Sequence, residues 1–144
     1  MRIRDLMNKS VVSITPDESA ALAARLLSRH DLGALPVCDN SGQLCGIVTD
    51  RDIVLRCIAA GEDPVRVPVR DIMSIAPITV SPEQSITEAA HRMSHSQIRR
   101  LPVVEGGSVV GMVSLGDLAR SRKWESEAAQ TLGDVCAGIR RNRR

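Results

Sequence analysis

The chain contains no phenylalanine and no tyrosine, and Trp124 is its single tryptophan. Its core must therefore be built from Val, Ile, Leu, Met and Ala. Base stacking on aromatic platforms, a common route to single-stranded nucleic acid, is almost unavailable. No apolar run approaches the ~18 residues of a membrane span. The opening segment, MRIRDLMNKS, lacks the apolar centre of a signal peptide, so a cytoplasmic protein with no membrane partner is expected. Neither sign of charge dominates: 19 Lys and Arg face 17 Asp and Glu, a net +2. That balance does not call for a polyanionic partner, and nucleic-acid binding is disfavoured even though the tail IRRNRR is locally basic. The four cysteines, Cys38, Cys45, Cys57 and Cys136, form no C-x-x-C pair, and a cytosolic setting argues against structural disulfides. Cys38 and Cys45 flank DNSGQL, a hairpin signal, and can face each other across two strands. They are read either as small buried strand residues or as a redox or metal switch.

What is present is a repeat. RDLM at Arg4–Met7 returns as RDIM at Arg70–Met73, 66 residues later. The same spacing carries Thr15-Pro16 onto Ser81-Pro82, and LPV at Leu35–Val37 onto LPV at Leu101–Val103. Beyond the hairpin the spacing drops to 65, as GIVTDRD (Gly46–Asp52) returns as GMVSLGD (Gly111–Asp117), because one turn is a residue shorter. Residues 1–60 and 69–122 are thus two copies of one unit. Residues 61–68 form a linker rich in Gly, Pro and charge, and residues 123–144 form a C-terminal helix with a basic tail, Trp124 packing that helix down.

Each copy reads as strand, helix, strand, strand, helix, an α+β (α/β-like) architecture. The first strands are VVSI and PITV. The turns at Pro16 and Pro82 follow, and Ser19 and Ser85 then cap helices, Ser85 with Glu88 in a capping-box spacing. Ala20, Ala23, Ala24 and Leu27 share one helical face, as do Ile86, Ala89, Ala90 and Met93. Two β runs and a glycine turn form a hairpin in each copy, and a second helix starts near Asp50 or Leu115. About 55–60 residues bury too little surface alone, so the halves are expected to pack together. Leu22 and Leu26 widen the apolar face of the first helix where Glu88 and Arg92 stand in the second. Either self-association or broader core packing explains them.

Tandem copies carrying D-h-M, LPV and G-h-h-[ST]-x-x-D (h apolar) closely resemble the CBS-domain pair, or Bateman module, in its small free-standing form. The resemblance spans Ile3 to about Arg120. It implies a pseudo-two-fold pair that assembles as a homodimer, with two clefts that take AMP, ADP, ATP or a related adenosyl ligand, and no catalytic role. No obligatory cofactor or metal is implied; the adenosine nucleotide is a regulatory ligand. By resemblance, one cleft uses Thr49, Asp50 and Asp52, with Pro77 and Ile78 along the adenine and Arg99 and Arg100 on the phosphate. The other, weaker, uses Ser114 and Asp117 with Val11, Val12, Gly33 and Ala34, and Arg51 as its basic residue.

The chemistry of these residues fits such a ligand. An ionised Asp accepts from both ribose hydroxyls, a helix-starting Thr or Ser adds a hydroxyl and positive dipole, and Arg presents a charged fork to phosphate. Gly46 and Gly111 allow close approach of a ligand or of a facing strand. The same T/S-x-x-D string is also a capping box, and both readings stand together. Arg99-Arg100 taken alone is an ordinary solvated pair, and His91 and His95, at i, i+4, lack a third ligand at useful spacing.

Three functions compete. The first is a regulatory module that senses adenosine nucleotide and signals in trans to an unidentified protein through rearrangement of its halves. The second is a ligand-free dimeric interaction or stress-response protein. The third is a cysteine-based redox or metal switch. No nucleophile–base pair, metal triad or Walker loop suggests an enzyme.

Overall fold

The structure, a computed structural model, describes residues 1–75, 77–120 and 130–137. In chain order its elements are α1 (Ile3–Leu6), α2 (Ala20–His30), β1 (Ala34–Cys38), β2 (Leu44–Thr49) and α3 (Asp50–Asp52), which runs on as a π-helical turn over Ile53–Ile58. A 3-10 turn (Val69–Asp71), β3 (Ser74–Ile75), α4 (Ile86–Ser96), β4 (Arg100–Glu105), β5 (Ser108–Ser114) and α5 (Leu115–Arg120) follow. Residues 130–137 are helical, while Trp124 and the basic tail lie outside the described residues.

The chain divides into two compact units, and neither follows the sequence repeat from end to end. One unit is Val12–Pro77 with Gly107–Val109; the other joins Met1–Val11 to Ile78–Gly106 and Val110–Arg144. The first R-D-h-M segment therefore belongs with the second repeat, and the second with the first.

In the Val12–Pro77 unit, β1, β2 and β3 form an antiparallel sheet in that order. Its core is Ile14, Ala20, Ala23, Leu27, Leu35, Val37, Val48, Ile53, Cys57, Val69 and Ile72. Each large apolar side chain fully buried there contributes about 1.5–3 kcal/mol. Leu22 and Leu26 are half-buried against this same core, so the wider apolar face of α2 serves packing. The exposed apolar residues are instead Val54, Leu55 and Ile58 on the π-helical turn. Val69 and Arg70 donate backbone bonds to Glu18 and Pro16 at 2.8 and 3.0 Å, tying the exchanged segment to the start of α2. The expected linker is built into the unit too: Ala20 and Ala21 amides donate to the carbonyls of Val67 and Pro64 at 2.8 and 2.9 Å.

The other unit repeats the plan with Ile3, Val80, Ile86, Ala89, Ala90, Met93, Leu101, Val103, Val113, Leu115 and Leu118. Here α1 takes the place of the 3-10 turn: Ile3 and Arg4 donate to Gln84 and Pro82, both at 3.0 Å. Ser19 and Ser85 cap α2 and α4 as expected, accepting from Leu22 and Glu88 amides at 3.1 and 3.2 Å. The Glu88 carboxylate accepts from the Gln84 side-chain amide at 2.6 Å.

One expected pair of elements shrinks. VVSI and PITV each make a single parallel bridge, Ile14 to Val37 and Val80 to Val103, instead of a strand. Ile14 donates to Pro36 and accepts from Cys38; the next rung would need an N–H at position 16. Pro16 has none, and Pro82 stops the second copy in the same way.

Candidate functional site

Both G-h-h-[ST]-x-x-D motifs fold as helix caps. Thr49 Oγ1 accepts from the Asp52 amide at 3.0 Å, and Asp52 Oδ2 accepts from the Thr49 amide at 3.0 Å. Ser114 Oγ accepts from the Asp117 amide at 3.1 Å, and Asp117 Oδ2 accepts from the Ser114 amide at 2.8 Å. Two reciprocal bonds close each first turn, the geometry of a capping box. The cap pins hydroxyl and carboxylate side by side at a helix start, where the backbone dipole is positive.

The glycines serve the fold. A Cβ on Gly46 would stand 2.5 Å from the carbonyl oxygen of Ser74, because β3 runs alongside β2 there. A Cβ on Gly111 would meet Met7 Sδ at 2.7 Å and the Asn8 carbonyl oxygen at 3.1 Å, where Asn8 bridges to Met112. Of the two readings of these glycines, close approach of a neighbouring chain segment is the one in place.

The hairpins decide which residues accompany each cap. In β1–β2, Ala34 pairs with Thr49, and the Asp50 amide donates to the Gly33 carbonyl at 3.2 Å. In the other unit the Leu115 amide donates to the Arg99 carbonyl at 2.8 Å. Arg99 and Arg100 thus lie directly beside Ser114, and Gly33 and Ala34 beside Thr49. The grouping drawn from the resemblance set the arginines with Thr49, Asp50 and Asp52, and Gly33 and Ala34 with Ser114 and Asp117. Within each unit the neighbours follow from hairpin register: the residue opening one strand must sit by the residue closing its antiparallel partner. Spacing alone carried that signal, since Ala34 and Thr49 map onto Arg100 and Ser114 through the repeat.

Arg99 and Arg100 are exposed, and neither joins an ion pair among the described residues. Asp52 is 9% exposed. Asp50 and Arg51 are exposed, the Arg51 amide donating to Asp50 Oδ1 at 2.8 Å. Val12 and Pro77 lie in the unit of Thr49, and Val11 and Ile78 in the unit of Ser114. Ile78 is exposed, as is Ile75 just before it.

Two grooves among the described residues of the Ser114 unit lie away from its cap. One of about 490 Å³ runs between α4 and helix 130–137, lined by Thr87, Ala90, His91, Ser94, Thr131 and Asp134 among others. The other, about 430 Å³, is lined by Ile78, His91, Arg92, His95 and Ser96. His91 and His95 share that second groove, yet no group of three metal-ligating side chains occurs among the described residues.

Cys38 and Cys57 are buried, Cys45 is half-buried and Cys136 is exposed. Cys38 pairs with Leu44 beside a bulge that leaves Cys45 as its neighbour on β2. Burial, with Cys45 and Asp39 adding to it, pushes the Cys38 thiol up, and burial with Glu62 and Asp63 does the same to Cys57. Both thiols hold their protons, which opposes thiolate chemistry.

Comparison with known proteins agrees with this architecture. Residues 3–58 and 69–123 each match the CBS domain family, and the chain belongs to it, as a tandem pair. It is 38% identical over 133 residues to CBS domain-containing protein YhcV of Bacillus subtilis, covering 92% of this chain and 94% of that one. It is 38% identical to hypoxic response protein 1 of Mycobacterium tuberculosis, over 81% of this chain and 82% of the relative. A crystal structure of hypoxic response protein I with two coordinated zinc ions superposes with a TM-score of 0.78, over 83% of this chain and 98% of that one, at 37% identity. The CBS domain pair of protein MJ0100, solved in complex with 5′-methylthioadenosine and S-adenosyl-L-methionine, gives a TM-score of 0.76 at 29% identity, over 83% of this chain and 94% of that one. No helix among the described residues is long and apolar enough to cross a membrane.

Proposed function

We propose that this CBS pair is a regulatory module that binds an adenosine nucleotide and acts in trans on a protein partner, with no obligatory cofactor and no catalysis of its own. The observation that carries the reading is the juxtaposition of Arg99 and Arg100, which join no ion pair among the described residues, with the hydroxyl–carboxylate cap of Ser114 and Asp117. In this reading Asp117 takes the ribose hydroxyls, Ser114 and the start of α5 face the phosphate, and the two guanidiniums neutralise it. Thr49 and Asp52 offer the same cap without arginines at the neighbouring turn, a poorer setting for phosphate. The adenosyl ligands of the MJ0100 pair support the ligand class. Isothermal titration of AMP, ATP and S-adenosylmethionine tests the proposal. Saturable binding of AMP or ATP supports it; absence of heat and of any thermal shift with all three at millimolar concentration refutes it.

A second reading, a dimer whose surface is the function, draws on Val54, Leu55 and Ile58, exposed together on one turn of helix. The matching positions in the second repeat include Ala119 and Arg120, a less apolar and charged face. A second copy of the chain, meeting apolar turn to apolar turn, is the occupant that matches this asymmetry. Light scattering of wild type and Leu55→Asp checks it: the variant should be monomeric where the wild type is dimeric. A tight wild-type dimer indifferent to every nucleotide would favour this reading over the first.

A further inference from the structure

The carboxylate of Asp117 is engaged on both sides before any ligand arrives. Oδ2 accepts from the Ser114 amide, and Oδ1 is paired with the guanidinium of Arg120, one turn further along α5. Asp52 differs. Its Oδ2 is likewise held by the Thr49 amide, but its cationic neighbour, Arg56, keeps Nε 3.9 Å from Oδ1, beyond hydrogen-bond distance. Arg56 donates instead to the carbonyls of Ile72 and Met73 at 3.2 and 3.4 Å. The residue one turn after Asp52, in the place of Arg120, is Leu55, which has nothing to donate.

A ribose diol donates two hydrogen bonds and needs open carboxylate lone pairs to receive them. At Asp52 the outer oxygen accepts no hydrogen bond among the described residues, only the looser approach of Arg56. At Asp117 the diol competes with Arg120 for the outer oxygen, and a guanidinium that gives way needs a new acceptor. A phosphate supplies one, and a neutral nucleoside does not. Because the Arg120 side chain is 76% exposed, its pairing to Asp117 is weak enough to be exchanged.

We propose that Arg120 is a specificity-determining residue of the Ser114–Asp117 motif, yielding Asp117 to a ribose only in exchange for an anion on the same ligand. This motif then selects phosphorylated adenosines, while the Thr49–Asp52 motif takes neutral adenosyl ligands without that handicap. The inference rests on the adenosine-nucleotide reading and adds the ligand class to each motif.

The test is calorimetric titration of adenosine and AMP into the full chain, as wild type, Arg120→Ala and Leu55→Arg. Both changes are at exposed positions, and circular dichroism checks that the fold persists. Arg120→Ala should bind adenosine roughly threefold more tightly, the worth of an exposed ion pair removed. It should bind AMP about tenfold more weakly, one charge-assisted hydrogen bond lost. Leu55→Arg, which installs the missing arginine beside Asp52, should weaken adenosine binding at that motif. An unchanged ratio of AMP to adenosine affinity in Arg120→Ala, or an equal fall for both ligands, overturns the role of Arg120 and leaves nucleotide binding intact. A wild-type chain that binds neither ligand overturns the underlying reading and this one with it.

Discussion

The Leu115 amide donates to the Arg99 carbonyl at 2.8 Å. That backbone bond sets Arg99 beside Leu115, the first residue of α5, in the unit that holds the cap of Ser114 and Asp117. Its counterpart, Asp50 to Gly33 at 3.2 Å, leaves Thr49 and Asp52 with a glycine and an alanine. Two copies of one motif thus start from the same local geometry and present different charge.

In the proposed site each guanidinium addresses only the phosphate, so replacing both Arg99 and Arg100 with alanine should weaken AMP binding by at least about tenfold and leave adenosine binding nearly unchanged. Parallel titrations with the two ligands check this. Equal weakening of both would mean that the arginines shape the cap and do not contact phosphate.

The caps also hold the fold. Thr49→Ala and Ser114→Ala each remove the acceptor for an amide in the first turn of a helix and should cost about 1 kcal/mol, within a range of roughly 0.5–2. Urea unfolding at pH 7 measures this with no ligand present. A neutral result at both sites would show that the hydroxyls are not the acceptors.

Gly46→Ala should destabilise by about 1–3 kcal/mol, because its Cβ would meet the Ser74 carbonyl, a backbone atom that cannot turn aside. Gly111→Ala should cost less, since the nearest atom it meets is the sulfur of the flexible Met7 side chain. Gly133→Ala, in helix 130–137 with nothing within 4 Å of its Cβ, should instead stabilise by up to about 1 kcal/mol. The ordering of three melting curves checks the series.

Much of this was legible in the chain, and the gaps have physical causes. The repeat, the capped helices and the hairpins follow from periodicity and turn residues, and Ser19, Ser85, Leu35 and Leu101 fall where expected. The exchange of the R-D-h-M segments was hidden, because RDLM and RDIM are nearly identical and either would fit either half. The loss of the first strands was visible only once Pro16 and Pro82 were set against a specific parallel rung. Asp52 and Asp117 could be read as caps or as ribose ligands, and the structure shows that the first role is filled. The difference between their outer oxygens needed side-chain geometry: the sequence shows Arg56 four residues after Asp52 and Arg120 three after Asp117, but not which of them reaches the carboxylate.

Stability should fall on the alkaline side. The thiols of Cys38 and Cys57 ionise near 9.0 in the unfolded chain and higher in the folded one. Below that pH both states keep the protons, and these thiols leave stability independent of pH. Above it the unfolded chain releases protons that the folded chain retains, so the folded state loses ground as pH rises toward the folded values. Urea unfolding from pH 7 to 10, compared between wild type and Cys57→Ala, checks this. The variant should show the shallower decline, and a steeper one would contradict the burial of that thiol.

The most direct test of the central claim is a crystal grown with AMP. The nucleotide is expected with its ribose hydroxyls on the Asp117 carboxylate and its phosphate against Ser114, Arg99 and Arg100, with Arg120 turned away from Asp117. AMP bound with its phosphate far from both arginines, or no nucleotide in a crystal saturated with it, would contradict the account.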